Sequence, residues 1–193
     1  MTMQKLTAIL LVPALASFAL GAPTAPFLRK SPELTIYEPS GRQTLLSTFK
    51  GKVVAIEFFF IRSPKCLILA NTMNKLNQEL GPRGFQPVAI AFPAPGSDAN
   101  GRLVTEVVDY FKLTYPVGYS DKESVDQYLG RSGLDLLRIP QVVVIDRQGM
   151  IRAQSGGRDG NVQLENESYL RALLEDLLKE GPQQTPRQKP ATN

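Results

Sequence analysis

Histidine and tryptophan are absent from this 193-residue chain, and cysteine occurs once. A zinc site of the usual kind needs several histidine or cysteine ligands, so the sequence predicts no metal. Ser-His-Asp and Cys-His mechanisms both need a histidine and are excluded within one chain. A lone cysteine cannot form an internal disulfide, and no motif indicates a cofactor.

Two further features are scarce. No apolar stretch reaches the roughly 18 residues of a membrane span, so none is predicted to persist in the mature protein. The net charge of +4 is small and scattered, without a basic stripe interleaved with aromatic residues. Nucleic-acid binding therefore gains no support. The length suits one well-packed domain.

The N-terminus has the pattern of an export signal. Residues 1–5 carry one positive charge, residues 6–20 form an apolar core, and Ala19-Leu20-Gly21 is a small-x-small cleavage pattern. The alternative is an uncleaved anchor, for which the core is short. The sequence thus predicts an extracytoplasmic protein, periplasmic or secreted. We assign residues 1–21 to the signal peptide, 22–30 to a linker, 31–180 to the domain and 181–193 to a disordered tail.

Within the domain, β-type runs alternate with helical periodicity, which indicates an α/β fold. The run at 53–60 is almost continuously apolar, as in a central strand that is covered on both faces. The other predicted elements are a hairpin of 33–38 and 44–46, strands at 86–92, 116–119, 142–146 and 150–153, a loop at 93–101, and helices at 63–80, 103–111, 123–129 and 170–178.

The single cysteine belongs to the motif Ser63-Pro64-Lys65-Cys66, directly after the 53–60 strand. Ser63 suits the N-cap of a helix and Pro64 its first position, which puts Cys66 at the third position, close to the capping hydroxyl. The positive end of the helix lowers the pKa of a nearby thiol, and Arg62 adds a positive charge beside it. The competing interpretation is that Cys66 is a small buried hydrophobe.

The combination of spaced motifs resembles the TlpA-type extracytoplasmic thioredoxins of the wider redoxin (AhpC/TSA) group, over roughly residues 31–180. The similar segments are 51–54, the following strand, the turn at 63–66, Ile139-Pro140-Gln141, and 142–146 with Gly149. The resemblance implies a thioredoxin-like fold, with a mixed central sheet flanked by helices and here an N-terminal β-hairpin. It also implies that Pro140 is cis, beside the active-site turn, and that the backbone of Ile139 pairs with an extended substrate. Otherwise Pro140 marks a plain turn before a strand.

The chain departs from this family at the attacking position, where Ser63 replaces the first cysteine of Cys-x-x-Cys. Serine cannot attack a disulfide, and Cys66 has no resolving partner. Glu57 stands six residues before Ser63, where thioredoxins carry a buried acid. A desolvated Glu57 has a raised pKa and can serve as a base for Cys66; alternatively, it reaches solvent past its neighbours.

Three functions stay open. The first is a degenerate monothiol protein that acts on protein thiols or disulfides, with Cys66, Ser63 and Glu57 as the catalytic candidates and Arg62, Ile139 and Pro140 binding the substrate. The second is a peroxiredoxin-like peroxidase, since that group has Ser or Thr three residues before its cysteine. However, the positions where that group usually has a proline and an arginine are occupied here by Phe59 and Pro140. The third is a non-catalytic, chaperone-like or peptide-binding module with the thioredoxin fold, which binds an extended peptide.

Overall fold

The computed structural model describes residues 29–91, 101–132, 138–155 and 162–180. The predicted signal peptide, most of the linker and of the 93–101 loop, and the tail after 180 lie outside these ranges. The last two linker residues form a strand, Arg29–Lys30, because they pair antiparallel with a strand late in the chain. Within the described part, no helix is long and apolar enough to cross a bilayer.

Strands and helices alternate after a short hairpin, as predicted. The strands are β1 Arg29–Lys30, β2 Thr35–Tyr37, β3 Gln43–Leu45, β4 Val53–Phe59, β5 Phe85–Ala91, β6 Val117–Tyr119, β7 Gln141–Ile145 and β8 Met150–Gln154; the helices are α1 Pro64–Leu80, α2 Gly101–Phe111, α3 Lys122–Leu129 and α4 Glu167–Lys179. Short 3-10 turns occupy Leu46–Phe49, Gly81–Arg83 and Val162–Glu165.

All these strands join one sheet in the order β1-β8-β7-β4-β5-β6-β2-β3. β4 is central and pairs parallel with β5 and antiparallel with β7, so the sheet is mixed, as predicted. The predicted hairpin is β2–β3, and it extends the sheet beyond β6 through the pair Tyr37 and Tyr119. The α/β class and the mixed central sheet are thereby confirmed.

β4 is buried along its whole length and separates two cores. Val53, Ala55 and Phe59 face a cluster built with α1, α2 and α4, which we call the α1 face. Val54, Ile56 and Phe58 face a cluster built with α3, the hairpin and the 46–49 turn, which we call the α3 face. Because side chains alternate along a strand, Glu57 points to the α1 face, between Ala55 and Phe59.

Candidate active site

The candidate site lies where β4 passes into α1. β4 ends at Phe59, the amide of Ser63 bonds to the carbonyl of Phe60 at 3.0 Å, and α1 begins at Pro64. Ser63 has the extended N-cap conformation and Pro64 is the first helical residue, as predicted. Cys66 therefore sits in the first turn of α1, and it is completely buried in the α1 face.

The predicted capping bond of Ser63 is wrong, because its side chain makes no cap hydrogen bond to the helix. The hydroxyl is instead hydrogen-bonded to Cys66, and this bond lowers the pKa of the thiol. The two side chains are thus close together, as expected, but the thiol and not an amide is the partner of the hydroxyl.

Burial decides the acidity of Cys66. It raises the pKa of the thiol above its ordinary value, and this effect exceeds the lowering by Ser63 and by a backbone hydrogen bond with Phe60. The charges that shift the pKa of the thiol are those of Glu57 and Glu165, and both raise it further. The expected acidification is therefore wrong: loss of water around the thiol outweighs the helix terminus.

Glu57 is buried, which rules out the interpretation that it reaches solvent. Neither carboxyl oxygen has a hydrogen-bond partner in the described structure. Burial raises the pKa of Glu57 well above its ordinary value, so the carboxyl is neutral at pH values where an exposed glutamate is charged. In that form it is a proton donor on the same sheet face as Cys66.

Tyr115 and Glu165 belong to this neighbourhood, although sequence reasoning missed both. The Tyr115 hydroxyl donates to the carbonyl of Ala70, one turn beyond Cys66, at 3.0 Å. Burial, and then the charge of Glu57, raise the pKa of Tyr115 well above its ordinary value. Glu165 ends the turn before α4 and is close enough to Cys66 to raise its pKa. No sequence motif marks either residue, since both reach the site only through tertiary packing.

Pro140 lies beside the active-site turn, and its bond to Ile139 is cis, as predicted. β7 aligns antiparallel with β4, with Gln141 opposite Phe58. Continued beyond the strand ends, this alignment puts residues 138–140 opposite residues 59–61, where β4 passes into the turn. Pro140 is buried and Ile139 half-buried. No described residue bonds to the backbone N–H or C=O of Ile139.

Arg62 is exposed, and it is absent from the charges that shift the thiol. Its predicted role in favouring the thiolate is thus unsupported. The described residues also contain no cluster of three or more His, Cys, Asp or Glu side chains that could hold a metal ion.

Comparisons with known proteins place the chain among relatives of known fold. The model of the Redoxin family matches residues 28–173. No curated protein matches the sequence significantly. The resemblance stated from the motifs is confirmed at the level of this family.

Several solved structures have a similar fold. A thiol:disulfide interchange protein of the thioredoxin family from Chlorobium tepidum TLS is 20% identical with a TM-score of 0.63, over 78% of this chain and 97% of that one. A second Chlorobium tepidum structure, a putative thiol:disulfide interchange protein DsbE, is 22% identical with a TM-score of 0.60, over 78% and 99%. A putative protein disulfide isomerase from Bacteroides thetaiotaomicron is 24% identical with a TM-score of 0.62, over 81% and 92%. These similarities show the thioredoxin-like fold.

Proposed function

Because the chain belongs to the Redoxin family, we propose that it is an exported protein that binds an extended, thiol- or disulfide-bearing segment of a partner protein beside Pro140, without dithiol turnover. The solved neighbours are named for thiol:disulfide interchange, which supports protein thiols or disulfides as the partner class. The proposed function includes binding of such a partner and excludes catalytic dithiol exchange.

The observation that carries the proposal is the burial of Cys66 behind Ser63. Thiol–disulfide exchange needs an accessible thiolate and a second thiol that resolves the mixed disulfide. Here the accessible position is a serine, the cysteine is completely buried, and its pKa is raised. A thiol with a raised pKa is a poor nucleophile at neutral pH, because the thiolate is the reactive form.

Binding is supported by the backbone beside Pro140. The N–H and C=O of Ile139 have no partner among the described residues, and unpaired backbone groups of this kind add an extended peptide by strand-like pairing. The Ile139 side chain packs against the cores on both faces of the sheet, which holds this backbone in place.

A slow monothiol reaction is the second candidate, favoured by the hydrogen bond between Ser63 and Cys66. In that reaction the Cys66 thiolate attacks one sulfur of a partner disulfide, a mixed disulfide forms, and the other sulfur leaves as a thiolate that takes up a proton. Glu57 acts as a base for Cys66 in this scheme only after it has lost its own proton. Peroxidase activity is less well supported, because it needs a stabilised thiolate and the nearby charges oppose one.

The pH dependence of Cys66 alkylation separates binder from enzyme. We expect alkylation of the folded protein to be much slower than that of the denatured chain, with a midpoint above that of a free thiol. Each unit of upward pKa shift lowers the thiolate fraction at neutral pH about tenfold. A midpoint below that of a free thiol, with fast alkylation of the native protein, would favour the monothiol enzyme.

An insulin-reduction assay tests the missing nucleophile directly. We expect no activity from the wild type, whereas Ser63→Cys should form a bridge with Cys66 and gain activity, because the two side chains are already in contact. Cys66→Ala should keep its affinity for extended peptides. Wild-type turnover at rates typical of a Cys-x-x-Cys thioredoxin, or loss of peptide binding in Cys66→Ala, would contradict the proposed function.

Export is the remaining part of the proposal and is supported by the pattern of residues 1–21. Mass spectrometry of protein recovered from the periplasm or medium should show a chain that begins at Ala22. An intact Met1 end together with a cytosolic distribution would contradict export.

A further inference from the structure

The outer face of the first two turns of α1 carries an exposed apolar side chain. Ile68 is 68% exposed, whereas nearly all large apolar residues of the described structure are buried or half-buried. Pro64 and Lys65 are also exposed. They precede Ile68 by four and three residues, so all three share one surface of the helix. This surface adjoins the turn that contains Ser63.

Three exposed cations lie in the segments that meet at this turn. Arg62, Lys65 and Arg138 are exposed, and none of their charged groups forms an ion pair or hydrogen bond with a described side chain. Arg138 belongs with the other two because the continued alignment of β7 with β4 sets it opposite Ile61, the chain neighbour of Arg62. Ion pairs elsewhere on the protein occupy other exposed cations, such as Lys75 with Glu167 and Arg102 with Glu106.

Lys65 occupies a position that helix electrostatics disfavours. It lies in the first turn of α1, where the positive end of the helix dipole repels a cation. α3 and α4 follow the usual preference, with Glu123 and Glu167 in their first turns. Local stability therefore does not explain Lys65, whereas binding of a negatively charged partner would.

Few described acids oppose this charge. Glu57 is completely buried, and Glu165 is half-buried and acts on Cys66 from the α4 side of the site. Among the described residues, the rim of the site therefore carries more positive than negative charge beside an exposed apolar side chain. A partner that complements it carries carboxylates on either side of an apolar side chain.

We propose that Arg62, Pro64, Lys65, Ile68 and Arg138, which we call the active-site rim, select an extended partner segment that is acidic and carries an apolar side chain for Ile68. This inference rests on the proposed binding function and adds the chemistry of the partner. Charge selects the partner and guides its approach, while pairing with the Ile139 backbone is independent of the partner's sequence.

Three fluorescein-labelled peptides of equal length test the inference by fluorescence anisotropy with the full mature protein. One alternates leucine with glutamate, one leucine with serine, and one leucine with lysine. We expect the glutamate peptide to bind about tenfold or more tightly than the lysine peptide, since three exposed ion pairs add their small individual contributions. Raising the ionic strength from about 0.05 M to about 0.5 M should largely remove the difference.

Variants of the rim test which side chains cause the preference for the glutamate peptide. Lys65→Glu combined with Arg62→Glu should abolish or invert the preference for the glutamate peptide. Ile68→Ser should weaken the binding of all three peptides without changing the order of their affinities. Lys50→Glu is the matched control: Lys50 is exposed and without an ion pair, and β4 separates it from the rim by about 20 Å at the usual rise per residue. It should leave the preference unchanged. Circular dichroism should show all variants folded, because every replaced side chain is exposed.

The outcomes distinguish this inference from the function on which it rests. Equal binding of the three peptides would overturn the acidic partner and leave the binding function intact. A preference that Lys50→Glu reduces as much as the rim variant would show a general effect of net charge and would also overturn the inference. Failure of all three peptides to bind would contradict the proposed function and the inference with it.

Discussion

The two faces of β4 differ in whether their buried polar groups have hydrogen-bond partners. On the α3 face Val54, Ile56 and Phe58 are apolar, and the ring of Phe58 contacts that of Tyr128 with 5.5 Å between centroids. The Tyr128 hydroxyl lies 2.7 Å from that of Ser31 and forms a hydrogen bond with it. On the α1 face the same strand buries Glu57, whose two oxygens have no partner among the described residues.

Stability does not explain the buried carboxyl on the α1 face. A buried carboxyl without a hydrogen bond destabilises a fold, and a leucine or methionine would fill its place at lower cost. Another buried polar group on this face, the Tyr115 hydroxyl, does have an acceptor, the carbonyl of Ala70. The fold therefore does not need Glu57 for its stability, and the prediction that Glu57 serves as a base for Cys66 would give this carboxyl a role.

The largest expected effect contrasts two neighbours on β4. Phe58→Ala should lower the free energy of unfolding by about 3–5 kcal/mol, because it removes a completely buried ring from the α3 face. Glu57→Ala should stay within about 1 kcal/mol of the wild type, because release of the desolvated carboxyl offsets the cavity. Urea denaturation measures both. Equal destabilisation by the two changes would show that Glu57 is well accommodated.

The second effect is a dependence of stability on pH. The pKa of Glu57 is raised in the folded protein, so between its unfolded and folded pKa values the folded state holds a proton that the unfolded chain has lost. Stability therefore falls as pH rises from about 5, by up to about 1.4 kcal/mol per pH unit, until the folded pKa is reached. Glu57→Gln cannot ionise and should lack this slope. The difference in free energy of unfolding between wild type and variant across pH 5–8 is the measurement, and parallel profiles would contradict it.

A smaller effect isolates the neutral carboxyl. At pH 5, Glu57→Met should stabilise the protein by about 1–2 kcal/mol, since an apolar side chain of similar length replaces an unpartnered polar group. Thermal unfolding at that pH measures it. Val54→Met on the α3 face is the control and should destabilise, because it overfills a packed site. Destabilisation by both changes would mean that neither face accepts a methionine, and it would contradict the prediction for Glu57.

Sequence reasoning predicted what depends on neighbours along the chain. The β4 run, the start of α1 at Pro64 and the end of α3 at Gly130, with its positive φ of 67°, all follow from local patterns. The cis bond before Pro140 followed from the family resemblance, whose motifs are also spaced along the chain.

Features that depend on packing were not predictable. The helix terminus near Cys66 can be inferred from the sequence, whereas the burial that reverses its effect on the thiol pKa cannot. For the same reason Tyr115 and Glu165 were missed, since their sequence neighbours give no sign that they approach α1. β1 escaped notice because two residues are too short for a strand pattern and only the pairing with β8 defines them.

The smallest effect concerns the two N-caps that border the α1 face. Asn166 caps α4 through a hydrogen bond from the amide of Tyr169, so Asn166→Ala should cost about 1 kcal/mol. The Ser63 hydroxyl makes no such bond in α1 and is hydrogen-bonded to Cys66 instead. Ser63→Ala should thus cost less than Asn166→Ala and should raise the pKa of Cys66, because the bond that lowers it is lost. Denaturant midpoints and the pH dependence of alkylation measure the two quantities. If Ser63→Ala destabilises as much as Asn166→Ala and leaves the alkylation profile unchanged, then Ser63 is an ordinary helix cap, and its contact with the thiol has no chemical consequence.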